Sequence, residues 1–140
     1  MPLWSRLYNT VWLAFFSCVL VPRWMGKWGA PVHVLLGLGM LVLTVANARR
    51  LASLPVPARL QRISKVTAGI AVLQLVVGLA FGAVKHMFPD LPIVAPALNG
   101  IHVVCALAML SQASSVATGY DMWEEKEGHQ SATPPQQKTA

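Results

Sequence analysis

The sequence predicts an all-α protein: an integral membrane, up-down four-helix bundle made of two repeated helical hairpins. Three observations carry that expectation. Hydrophobic residues fill 55% of the 140 positions and charged residues only 11%, against roughly 25% charge in a typical soluble domain. The apolar residues gather in four blocks, each approaching the ~20 residues that cross a bilayer core. The second and fourth blocks also contain similar segments, each starting at a histidine.

The first block runs from about Leu3 to Val21 and stops at Pro22, which cannot continue a helix without losing a hydrogen bond. Arg6 ahead of an apolar stretch is reminiscent of a secretory signal, but no small-residue cleavage site follows, so an uncleaved first span is expected. Trp4, Tyr8 and Trp12 lie in it, and Trp24 and Trp28 follow it, so indoles are expected at both interfaces. The second block begins at Pro31, a favourable first-turn residue, and reaches about Ala48, where Arg49 and Arg50 meet the headgroups. Pro55 and Pro57 make a turn. The third block covers about Val66 to Val84 after a basic amphipathic lead-in, Arg59 to Lys65, and ends by Pro89. The fourth runs from about Leu98 to Tyr120. In lipid, backbone groups must be satisfied within each segment, so all four blocks are expected to be helical.

Loop charge sets the expected orientation. The connection between spans two and three holds Arg49, Arg50, Arg59, Arg62 and Lys65, whereas the first loop has only Arg23 and Lys27 and the third only Lys85. Basic loops stay cytoplasmic, so both termini are expected there, in a multi-pass protein of the cell (plasma) membrane. Residues 1–120 then form the transmembrane domain. Residues 121–140, with Glu124-Glu125-Lys126-Glu127 and Pro134-Pro135, read as a disordered cytoplasmic tail, a short helical start being open to it.

Composition also excludes function classes. The net charge of +6 is spread between apolar blocks rather than gathered on one face with aromatics, which argues against nucleic acid as a partner. Cys18 and Cys105 lie inside spans without metal-ligand spacing and read as small packing residues. The acids Asp90, Asp121, Glu124, Glu125 and Glu127 all lie outside the spans, so carboxylate-driven proton transfer or intramembrane proteolysis is unsupported. Phosphate-binding glycine loops, nucleophile elbows and zinc motifs are missing from the sequence.

Ionisable residues inside spans are functional candidates. His33 opens span two and His102 opens span four; both spans run inward, so both imidazoles are expected at one depth near the outer face. The segment His33-Val-Leu-Leu-Gly-Leu-Gly-Met-Leu41 matches His102-Val-Val-Cys-Ala-Leu-Ala-Met-Leu110 at the histidine, the valine after it, Leu38/Leu107, Met40/Met109 and Leu41/Leu110. Two related hairpins commonly pack about a pseudo-twofold axis with a site at their interface. Imidazoles facing each other across that axis would supply both axial ligands of a six-coordinate heme iron. At the i+4 positions, one turn inward on the same face, Gly37 and Ala106 would leave room for a macrocycle edge, with Gly39 and Ala108 nearby. The competing reading makes these ordinary close-packing residues and interfacial histidines.

His86 ends span three at the outer level beside Lys85, a third imidazole for a propionate or quinone; His129 is expected to be solvated in the tail. Gln74, mid-membrane in span three, and Ser111 and Gln112 in span four are expected to hydrogen-bond inside the bundle, with Gln74 a candidate neighbour of a cofactor. Gly78 and Gly82 form a GxxxG that permits close packing within the bundle or between protomers, which leaves homo-oligomerisation open.

Four spans, histidines at the outer starts of the second and fourth, and Thr67-Ala-Gly-Ile-Ala-Val-Leu-Gln74-Leu-Val-Val-Gly78 resemble one four-helix half of the heme A synthase family, over roughly Pro31 to Tyr120. The resemblance implies that His33 and His102 are the cofactor-binding pair. The family's acidic residue shortly before the second-helix histidine, and the arginine after it, are absent from Trp28-Gly-Ala-Pro-Val-His33-Val34. The glutamate proposed to take part in oxidising the heme methyl also has no counterpart. The expectation is therefore a membrane protein binding heme b, its iron ligated by His33 and His102, for electron transfer or heme handling beside a respiratory oxidase or another membrane complex. The alternatives are a cofactor-free accessory subunit of such a complex and a compact heme A synthase.

Overall fold

The computed structural model describes residues 2–19, 28–88 and 93–132. They form four helices: α1 (Leu3–Val19), α2 (Gly29–Ala52), α3 (Ala58–Met87) and α4 (Val94–Ala132). No strand occurs among the described residues. Each helix packs on its neighbours in sequence and α4 closes against α1, so α2 and α4 stand diagonally across a four-membered ring.

The helices α2, α3 and α4 are long and apolar enough to cross a membrane. The helix α1 has 17 residues, about 26 Å at 1.5 Å per residue; Leu20 and Val21 of the expected span, and Pro22, Arg23, Trp24 and Lys27 after it, lie outside the described residues. Only 11–17% of each apolar window in the other three is buried. Leu35, Val42 and Val104 are each about two-thirds exposed. Helices apolar all round their circumference, with much of that surface uncovered, suit hydrocarbon rather than water.

Two boundaries differ from the sequence expectation. The basic lead-in Arg59 to Lys65 is continuous with the third span in one 30-residue helix, because no breaker stands between Ala58 and Met87. The fourth helix starts at Val94 and continues past Tyr120 to Ala132, so the first part of the polar tail is helical. At 39 residues it is about 58 Å long, far more than the roughly 30 Å hydrocarbon core requires. Trp12 sits midway along α1, exposed among Phe15 and Phe16, rather than at a helix end.

The hairpin between α2 and α3 shows how local chemistry closes the chain. Ser53 caps α2, its backbone N–H and its hydroxyl both donating to the Arg50 carbonyl, at 3.1 and 2.8 Å. Pro57, with φ −51° and ψ 137°, precedes α3, and its carbonyl accepts from the Leu60 N–H at 2.9 Å. Gln61 Nε2 reaches back to the Leu54 carbonyl at 3.2 Å.

Between the histidine end and this turn the core is layered. Ala14, Met40, Ala71 and Met109 form one apolar cluster with contributions from all four helices. Below it lie the buried polar residues Thr10, Thr44, Asn47, Ser64 and Thr67. Leu7, Leu51, Val56, Leu60, Val116, Ala117 and Tyr120 close the other end. There Tyr8 donates to Asp121 Oδ2 at 2.6 Å, tying α1 to α4.

Candidate functional site

The second turn of α2 and the third turn of α4 bring His33 and His102 together across the bundle diagonal. Their ring centroids are 5.8 Å apart, with planes inclined at 61°. Both side chains are half-buried. Met40 and Met109, each seven residues along from its histidine and both 3% exposed, meet in the apolar layer beneath.

Hydrogen bonds fix each ring. His33 Nδ1 lies 3.2 Å from the Ser17 carbonyl and 3.3 Å from the Ser17 hydroxyl. A carbonyl only accepts, so Nδ1 carries the proton and Nε2 is left as the basic nitrogen. His102 Nε2 lies 3.2 Å from Gln74 Nε2, while His102 Nδ1 and Gln74 Oε1 are both buried without a partner among the described residues. Reversing the Gln74 carboxamide pairs its oxygen with a protonated Nε2 and leaves the Nδ1 lone pair available. In that arrangement each ring has one nitrogen held by a neighbour and one without a hydrogen bond among the described residues, His102 Nδ1 being buried beside Gly78.

Gly78 explains how the second ring fits. A Cβ at this position would fall 2.8 Å from His102 Cε1 and 3.3 Å from Nδ1, so the imidazole lies against bare backbone of α3. Gln74 and Gly78 are one turn apart on one face, and together they grip the ring by its edge and its side. A Cβ at Gly82 would meet nothing within 4 Å. The GxxxG therefore works as a cradle at its first glycine only.

The other expected site residues divide. A Cβ at Gly37 would also meet nothing within 4 Å, so space is open one turn below His33. Ala106 is 8% exposed and part of the packed interior, so the two i+4 positions are not equivalent. His86 is exposed at the end of α3 beside Lys85, and no hydrogen bond joins it to the pair among the described residues; the Lys85 ammonium lies 5.9 Å from the Phe81 ring centroid. The side chain of His129 lies outside the described residues. Neither Cys18 nor Cys105 forms a disulfide among them. Gln112 accepts from Thr67 at 3.3 Å in the polar layer, away from the histidines.

No cluster of three or more His, Cys, Asp or Glu gathers among the described residues, so the chain offers a metal two imidazoles and little else. A heme iron, if bound, would draw its protein ligands from these two imidazoles. Ser17 and Gln74 stand on the α1 and α3 flanks, and the open space is on the Gly37 side.

Sequence reading missed two residues and the role of a third. Ser17 was hidden because its backbone carbonyl, rather than its side-chain type, makes the shorter contact. Asn47 is 3% exposed and donates to Thr10 Oγ1 at 3.0 Å; an amide so far inside an apolar block was the available signal. The role of Gly78 was masked by the GxxxG pattern.

No family model, curated protein or solved structure matches the chain.

Proposed function

We propose that this chain is a multi-pass protein of the cell membrane, with both termini cytoplasmic, that binds b-type heme between His33 and His102 and serves electron transfer or heme handling. One observation carries the reading: imidazoles on diagonally opposed helices face each other at 5.8 Å, each held by a separate neighbour on α1 or α3. Heme supplies one-electron chemistry when bound. In that role His33 and His102 would hold the heme, the Ser17 carbonyl and the Gln74 amide would orient them and set their basicity, and the Met40–Met109 layer would shield them. The reading agrees with the heme A synthase resemblance in its pair of histidines, and a hairpin duplication would account for the similar segments that begin at them. The absent glutamate favours binding over heme oxidation. A respiratory oxidase or another membrane complex is the partner class this function calls for.

Absorbance tests it. Protein purified from heme-replete cells should show a Soret band that shifts on reduction, and His33→Ala or His102→Ala should remove most of it. A colourless preparation that also fails to take up added hemin refutes the proposal.

The hydrogen bonds themselves favour a second reading. Ser17–His33 and Gln74–His102 link α1 to α2 and α3 to α4, which is how polar side chains hold membrane helices together. A cofactor-free accessory subunit would use the pair in that way. It predicts that the histidine variants lose stability in the absence of heme by as much as in its presence.

A further inference from the structure

The strongest unassigned feature lies at the other end of the bundle. An open groove of about 720 Å³ runs between the start of α1 and the end of α2, with Leu41, Val42 and Val45 along it and Arg6, Arg49 and Arg50 at its mouth. No carboxylate is among the residues lining it.

Arg49 and Arg50 alone need no ligand. They occupy the last turn of α2, where a cation complements the helix dipole, at the end of the bundle expected to be cytoplasmic. Arg6 is different. It belongs to the neighbouring antiparallel helix, is half-buried, and turns to the same groove. Three arginines from two helices therefore line one open groove together with Leu41, Val42 and Val45. The groove is cationic at its mouth and apolar along its length, with Val42 67% exposed.

We propose that this groove is a binding site for an anionic phospholipid of the cytoplasmic leaflet, phosphatidylglycerol or cardiolipin in type. The arginines take the phosphodiester, for which their planar forks provide paired donors. An acyl chain lies along Leu41, Val42 and Val45. Basic pockets between membrane helices on the cytoplasmic side recognise such headgroups in this way. The inference rests on the membrane placement proposed above and is independent of heme.

The test uses the full chain in nanodiscs of phosphatidylcholine with increasing phosphatidylglycerol, with retained lipid counted by native mass spectrometry. Wild type should retain phosphatidylglycerol in preference to phosphatidylcholine. Arg6→Gln, Arg49→Gln and Arg50→Gln should each lower that preference about fivefold, while Arg59→Gln and Arg62→Gln, at the same end but outside the groove, should leave it unchanged. Soluble glycerol phosphate should fail to displace the lipid. Equal loss in the Arg59 and Arg62 variants, or displacement by inorganic phosphate alone, overturns the site. Carbonate extraction separates the two layers of inference: wild-type protein released from membranes by carbonate overturns the membrane reading and the groove with it, whereas carbonate-resistant protein without lipid preference overturns the groove alone.

Discussion

Replacing Gly78 by alanine probes the histidine site with the smallest possible change. The new Cβ would stand 2.8 Å from His102 Cε1. Non-bonded carbons settle at about 3.5–4.0 Å, so ring and helix must part by about 0.7–1.2 Å. That exceeds the roughly 0.5 Å within which a functional constellation must be held. Relief is restricted, because the Gln74 amide holds the ring at Nε2 and the interatomic contact is with the ring itself, not a flexible tip. Overpacking of this kind costs about 1–3 kcal/mol, or about 5–150-fold in an equilibrium constant. Gly82→Ala is the internal control, since its Cβ enters open space and alanine favours the helix slightly. Hemin titration should show weaker binding for Gly78→Ala by one to two orders of magnitude and no change for Gly82→Ala. His-selective carbon NMR at Cε1 should report a moved ring in the first variant only. Equal effects of the two alanines would mean that the GxxxG acts as a helix-association face, and an unperturbed His102 in Gly78→Ala would refute the cradle.

Three further outcomes follow from the hydrogen bonds. Ser17→Ala removes the hydroxyl but keeps the carbonyl at 3.2 Å, so His33 should retain its Nδ1–H tautomer, read by nitrogen NMR, and hemin affinity should change less than twofold, on the order of 0.4 kcal/mol. Gln74→Leu takes away the only neighbour hydrogen-bonded to His102 among the described residues; the reduction potential and the ligand-field spectrum of reconstituted protein should shift, and Gln74→Glu should not restore them, because a carboxylate alters the charge. In the polar layer, a double-mutant cycle of Asn47→Ala and Thr10→Val should give a coupling of about 0.6 kcal/mol, typical of interhelical hydrogen bonds in lipid, measured by reversible unfolding in detergent; zero coupling would mean the 3.0 Å contact contributes nothing.

Much of the architecture was legible in the sequence because apolar block length and proline position act locally. Pro55 and Pro57 close the α2–α3 hairpin where expected, and the two histidines stand together on diagonally opposite helices. The ends of α3 and α4 were misjudged for one reason: polarity marks where a helix leaves lipid, not where it stops. Arg59 to Lys65 and Asp121 to Ala132 are polar yet contain no breaker that would end a helix. The expected equivalence of Gly37 and Ala106 also failed, since a repeat fixes chain position while neighbours decide packing. Met40 and Met109, at matched positions, do meet in one layer.

By itself, the sequence determined the helical class, the number of apolar segments and the pairing of His33 with His102, all of which depend on residue type and spacing along one chain. Only the tertiary structure decided that Ser17 orients one imidazole, that Gln74 and Gly78 grip the other, and that Arg6 joins Arg49 and Arg50 at one groove. Those relations are set by the rotation of each helix about its axis and by close approaches between helices, to which backbone carbonyls and absent side chains contribute as much as any recognisable motif.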